Sequence, residues 1–160
     1  MTGIGDLYPV AVLEHSRHPR NRRTISGRTH AASGENPACG DEVRVFLVLD
    51  VGGIIDDVAF EGKSCAIATA SASLMTEVLP GKTRAQARAL FDRFHAMVTG
   101  GAEPPPDGME AEVERLGALS ALRDYPVREK CATLAWHAML AALESAGGGT
   151  SASGAIEQRA

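Results

Sequence analysis

EVRVFLVLDVGGIIDDVAFEGK, residues 42 to 63, decides the fold. Residues 42–50 are rich in β-branched and aromatic side chains and predict a strand. Gly52-Gly53 signals a hairpin, and residues 54–63 predict the returning strand. In that second strand Ile54, Asp56, Val58 and Phe60 alternate against Ile55, Asp57 and Ala59. Upstream, residues 28–34 read as a weaker strand, which completes a three-stranded antiparallel meander.

The period changes after Lys63. Ile67, Ala70, Leu74 and Val78 fall at helical spacing between Cys65 and Leu79, and Pro80-Gly81 ends that helix. Thr83 is placed to cap the next helix, whose apolar stripe is Ala87, Leu90, Phe91, Phe94 and Val98. TGGAEPPPDG, 99 to 108, is a breaker-rich loop, with the Pro run reading as a spacer. A short helix over 109–116 and a helical turn over 119–122 follow. A last helix over 127–143 carries Trp136, Leu140 and Leu143 on one face. At the other end DLYPVAVLEHS, 6 to 16, predicts a short helix with Asp6 as cap and Pro9 in its first turn. Strands grouped between helices indicate the α+β class: a three-stranded antiparallel sheet with helices packed mainly on one face. Residues 1–144 are expected to form one domain. The tail, SAGGGTSASGAIEQRA (145 to 160), is small and polar and expected to be disordered.

Composition narrows the function. With 44% hydrophobic and 22% charged residues the 160-residue chain is ordinary for a soluble domain with a real core. A net charge of −4 gives no electrostatic footprint for nucleic acid. No apolar run approaches the roughly 18 residues expected of a membrane span, and MTGIGDLYPV lacks the pattern of a secretory signal. The expected location is the cytoplasm, where thiols stay reduced. Arg17, Arg20, Arg22, Arg23 and Arg28 crowd one segment, which reads either as a solvated loop or as a docking patch for an acidic partner.

The three cysteines carry the chemistry. Cys39 lies in the loop NPACGDEV, 36 to 43, ahead of a strand; Cys65 lies where a strand hands over to a helix; Cys131 lies near the start of the last helix. All are near ends of elements, and none is in the middle of an apolar stripe. A helix N-terminus lowers a thiol pKa, which favours thiolates at Cys65 and Cys131. Gly40 lets the sulfur of Cys39 and the carboxylate of Asp41 face one point. Three sulfurs and an oxygen suit tetrahedral zinc. Three scattered cysteines without a CxxC pair are equally compatible with inert packing, so the spacing leaves both readings open. His15, His18, His30, His95 and His137 read as surface or core-edge residues rather than ligands.

Four stretches together carry a resemblance: LYPVAVLEHSRHPRN (7 to 21), NPACGDEV (36 to 43), FEGKSCAIATASASLM (60 to 75) and VREKCATLAWHAML (127 to 140). In this order they resemble the SufU-type proteins of the iron–sulfur cluster assembly superfamily, relatives of IscU and the NifU N-terminal domain. The resemblance implies one zinc ion held by Cys39, Asp41, Cys65 and Cys131. It implies zinc-dependent sulfur transfer, with Cys39 accepting persulfide sulfur from a SufS-type cysteine desulfurase and passing it to the downstream assembly machinery. On docking, a partner histidine is expected to displace Cys39 and free it to react. The alternative is a scaffold that assembles and transfers a 2Fe–2S cluster, with a cluster or iron transiently at the site; a plain structural zinc domain with no turnover is the third reading. IscU-type chains have histidine before the third cysteine; here that position is Lys130, and the segment 100–118 looks like an insertion. Both features favour the SufU branch. Arg128 and Lys130 are expected to offset the negative charge of the ligand set.

Overall fold

The structure is a computed structural model and describes residues 9–37, 40–101 and 107–144. Three strands, β1 (His30–Asn36), β2 (Asp41–Leu49) and β3 (Ile55–Lys63), form an antiparallel sheet in the order β1-β2-β3. The hairpin between β2 and β3 is held by Asp50, whose Oδ1 accepts N–H bonds from Gly52 and Ile54, each at 2.9 Å. The expected class, sheet and meander are therefore present.

One detail of the expected alternation is corrected. Val48 pairs with Asp57 but Leu49 pairs with Ile55, so Asp56 has no counterpart across the ladder. This bulge breaks the two-residue parity. Ile55 consequently joins Val58 and Phe60 on the helix-covered face, in the same core as Val43, Val45, Leu47 and Leu49. Simple alternation had placed Ile55 on the opposite face.

Five α-helices are described: α1 (Val10–Arg17), α2 (Ala66–Val78), α3 (Arg84–Thr99), α4 (Glu110–Leu116) and α5 (Pro126–Glu144), with a 3-10 segment over Gly117–Asp124. Pro9 occupies the N-cap of α1 rather than its first turn, and Asp6 lies outside the described residues. Helix α2 is the central post. Its small residues Ala68, Ala70, Ser71, Ala72 and Ser73 are all buried and let its neighbours approach closely. Helix α5 packs over β1, β2 and α2, while α1 packs on α2. Thr83 caps α3 as expected, through a reciprocal bond with Gln86 (Gln86 N–H to Thr83 Oγ1, 3.1 Å; Thr83 N–H to Gln86 Oε1, 2.9 Å). Phe91 sits at the margin of the expected stripe: it is partly buried, packs against the main core, and sets its ring against His95 and His137.

The arginine-rich segment has a role that neither sequence reading anticipated. It runs along the edge of β3: Arg23 N–H donates to Phe60 O (3.0 Å) and Phe60 N–H donates to Asn21 O (3.1 Å). Arg22 donates to Gly62 O at 2.8 Å, Arg23 reaches Asp57 at 2.8 Å, and Arg28 lies 5.1 Å from the Phe46 ring centroid. Ile25, Ala31, Phe46 and Ala59 form a small second core beneath. An edge strand presents unpaired backbone groups that invite association; here the segment covers them. Arg17 of that group is exposed, near the C-terminus of α1.

The predicted tail, 145–160, and the run Pro104–Pro106 lie outside the described residues. No described helix is long and apolar enough to cross a membrane.

Candidate metal centre

The site lies where the β1–β2 connection, the end of β3 and two helices converge. Asn36 pairs with Asp41 at the last rung of the β1–β2 ladder, so Pro37 to Gly40 form the connection. Gly40 adopts φ 72°, a conformation that side-chain-bearing residues rarely take. Asp41 starts β2 with its side chain on the helix-covered face, and it is only 2% exposed. A buried carboxylate needs partners. Its Oδ1 accepts the backbone N–H of Cys65 at 2.9 Å, and its Oδ2 lies 3.7 Å from Cys65 Sγ.

Cys65 is the N-cap of α2, and its sulfur accepts the Ala68 N–H at 3.5 Å. The dipole expectation is thus met at this residue. A hydrogen bond from Cys131 is the largest influence on its thiol, which is lowered to about 6 from an ordinary 9.0. Burial acts upward against this, the Ala68 N–H adds to the lowering, and the Asp41 charge opposes it.

Cys131 departs from the sequence expectation. Helix α5 begins at Pro126, which puts Cys131 in its second turn, beyond the reach of the end dipole. It is fully buried within the main apolar core, not set apart from it. Its sulfur nevertheless meets the other two groups. One ligand atom from each of Asp41, Cys65 and Cys131 lies within 4.8 Å of the rest. No histidine joins this group among the described residues. His15 instead shares a 2.6 Å hydrogen bond with Ser73, and His30 contacts Thr29 and Arg84.

The donor set fits zinc. Zn–S bonds of about 2.3 Å and Zn–O bonds of about 2.1 Å imply a tetrahedral S···O edge of roughly 3.6 Å. The Asp41–Cys65 separation of 3.7 Å is such an edge. Cys39 lies outside the described residues, so three of the four expected ligands are seen together. Arg128 is half-buried and Lys130 is exposed, on the first turns of α5 beside Cys131.

Two features of the site were missed from sequence. One is the backbone bond from Cys65 to Asp41. The other is a buried pair, Ser71 and Trp136, that links α2 to α5. A lone tryptophan facing a run of small residues was the only available signal for the latter.

The profile of the NifU-like N-terminal domain matches residues 7–132. The chain belongs to the NifU-like N-terminal domain family. Among relatives of this NifU-like chain, the iron–sulfur cluster assembly scaffold protein IscU of Streptococcus pyogenes serotype M1 is 35% identical over 144 residues, covering 90% of this chain and 87% of that protein. The zinc-dependent sulfurtransferase SufU of Bacillus subtilis strain 168 is 34% identical over 137 residues, covering 85% and 88%. The fold of this NifU-like chain is similar to the crystal structure of FiSufU from Fervidobacterium islandicum AW-1, with a TM-score of 0.79 and 30% identity over 88% of this chain and 99% of that one.

Proposed function

We propose that this protein is a zinc-dependent sulfurtransferase of iron–sulfur cluster assembly, accepting persulfide sulfur from a SufS-type cysteine desulfurase. The observation that carries the reading is the convergence of Asp41, Cys65 and Cys131 on one point. Cys39, two residues before Asp41, is the fourth ligand. Bound zinc keeps its thiolates deprotonated and shielded from oxidation. Cys65 and Cys131 are held by helices, whereas Cys39 belongs to the short connection between β1 and β2. Cys39 is the sulfur that leaves the metal to react.

In the transfer step the Cys39 thiolate attacks the outer sulfur of the donor persulfide. The donor S–S bond breaks, the donor thiolate leaves, and Cys39 carries the new persulfide. Three thiolates and a carboxylate around a divalent ion leave a formal charge of about −2; Arg128 and Lys130 supply positive charge on that side. Sulfur then passes to downstream assembly machinery in the cytoplasm.

A second reading, a scaffold that assembles a 2Fe–2S cluster with transient iron, is favoured by the 35% identity to the protein named IscU. Thiolates can hold either metal. Anaerobic purification with metal analysis separates the two: colourless protein with about one zinc per chain supports the sulfurtransferase, and brown protein with iron and labile sulfide supports the scaffold. Stimulation of a cysteine desulfurase, abolished in Cys39→Ala, completes the test. Unchanged stimulation in that variant removes Cys39 as acceptor.

A further inference from the structure

The two helix-borne thiols come from different helices, and something must hold those helices in register. We infer that Ser71 is the positioning residue that sets Cys131 against Cys65. This rests on the reading that both cysteines share one ion.

Buried hydroxyls in helices commonly bond back to their own helix. Among the described residues two do so: Thr76 donates to Ser73 O at 2.7 Å and Thr133 donates to Glu129 O at 3.1 Å. Ser71 does not follow them. Its Oγ donates across to Ala132 O on α5 at 2.5 Å. Ala132 is the residue after Cys131. The same oxygen accepts the indole N–H of Trp136 at 3.2 Å. Ser71, Ala132 and Trp136 are all fully buried, so no water competes for these bonds. Trp136 also stacks on Phe94, at 4.9 Å between centroids, which ties the arrangement to α3.

The pattern has a direction. Trp136 donates to the Ser71 oxygen and leaves the hydroxyl proton for Ala132 O, and that second bond fixes the backbone of α5 one residue past Cys131. The Cys65 end is fixed separately, by Asp41 and by the cap to Ala68. A metal held at bond lengths near 2.3 Å tolerates little error in the spacing of its sulfurs, and groups that orient ligands typically change metal affinity about 10- to 100-fold. An apolar residue at 71 would fill the space but remove the bond that fixes the α5 backbone beside Cys131.

The test compares two variants by zinc competition against a chromophoric chelator, and by the absorption of the cobalt(II)-substituted protein. Ser71→Ala removes the tie and is expected to weaken zinc about 10-fold, with a shift in the thiolate-to-cobalt bands. Trp136→Phe keeps the Ser71–Ala132 bond and is expected to leave affinity within about 2-fold and the bands in place, although it too loses a buried hydrogen bond and some thermal stability. Wild-type affinity and spectrum in Ser71→Ala overturn the inference. So does a loss of affinity in Trp136→Phe as large as that expected of Ser71→Ala, an outcome readable even if Ser71→Ala fails to fold. If the unaltered protein takes up no zinc or cobalt, the metal reading itself falls and this inference with it.

Discussion

Asp41 holds Cys65 twice: one carboxylate oxygen accepts its backbone N–H at 2.9 Å, and the other lies 3.7 Å from its sulfur. The carboxylate is thus both a ligand candidate and the anchor of the α2 N-terminus. Two substitutions separate these roles. Asp41→Asn keeps a neutral acceptor for the N–H and should cost under about 1 kcal/mol of stability, while Asp41→Ala orphans the donor and should cost about 1–3 kcal/mol. Both should lose zinc affinity. Thermal unfolding of metal-free protein and chelator competition check the two halves; zinc content at the wild-type level in both variants removes Asp41 from the ligand set.

Cys65 should be unusually reactive once metal is removed. With its thiol lowered to about 6, alkylation of metal-free protein should reach half its maximal rate near that pH. Cys39→Ala is the background to use, and buried Cys131 should react far more slowly. Mass spectrometry of iodoacetamide-treated protein across a pH series reads this out. Half-maximal alkylation near 9 contradicts it.

Acid should weaken the junction of α1 with α2. The imidazole of His15 is pushed below its ordinary 6.5, first by burial and then by Arg20, with Glu77 and Glu14 opposing and Arg115 adding a smaller lowering. Folding therefore favours the neutral ring. The unfolded chain takes up the proton first as pH falls, so this contribution is full above 6.5 and is lost below it. His15→Gln should flatten the fall in Tm between about pH 7 and 5. An identical slope in both proteins denies His15 this role.

Gly62→Ala should be among the most damaging single changes. Gly62 has φ 126°, and a Cβ there would collide with Glu42 O on the neighbouring strand. Either β3 separates from β2 or the backbone strains, next to the turn that delivers Cys65. A loss above about 2 kcal/mol is expected in chemical denaturation. A loss below about 0.5 kcal/mol would show that the strand yields easily.

The sheet and the helices were legible because each rests on local pattern: β-branched runs and helical spacing. Asp41, Cys65 and Cys131 stood out as polar or thiol residues near expected element ends, and the fold brings the three together. Ile55 was misplaced because a bulge at Asp56 leaves no mark in alternating sequence. The environment of Cys131 was misjudged because burial depends on what packs against α5, not on nearby residues. The arginine segment was unreadable for the same reason. Its partners, Asp57, Phe60 and Gly62, lie on a strand nearly 40 residues away. Ser71 and Trp136 belong to this class too: a hydroxyl that reaches between helices looks, in sequence, like any small residue.

Serine caps helices well, and at position 65 it would offer the Ala68 N–H a better acceptor than sulfur does. A Cys65→Ser protein stripped of metal should therefore melt no lower than its parent, and a screen for thermal robustness would welcome the replacement. Durability and reactivity make opposite demands on the N-cap of α2. An engineer who optimised only the former would erase the latter without seeing any sign of harm.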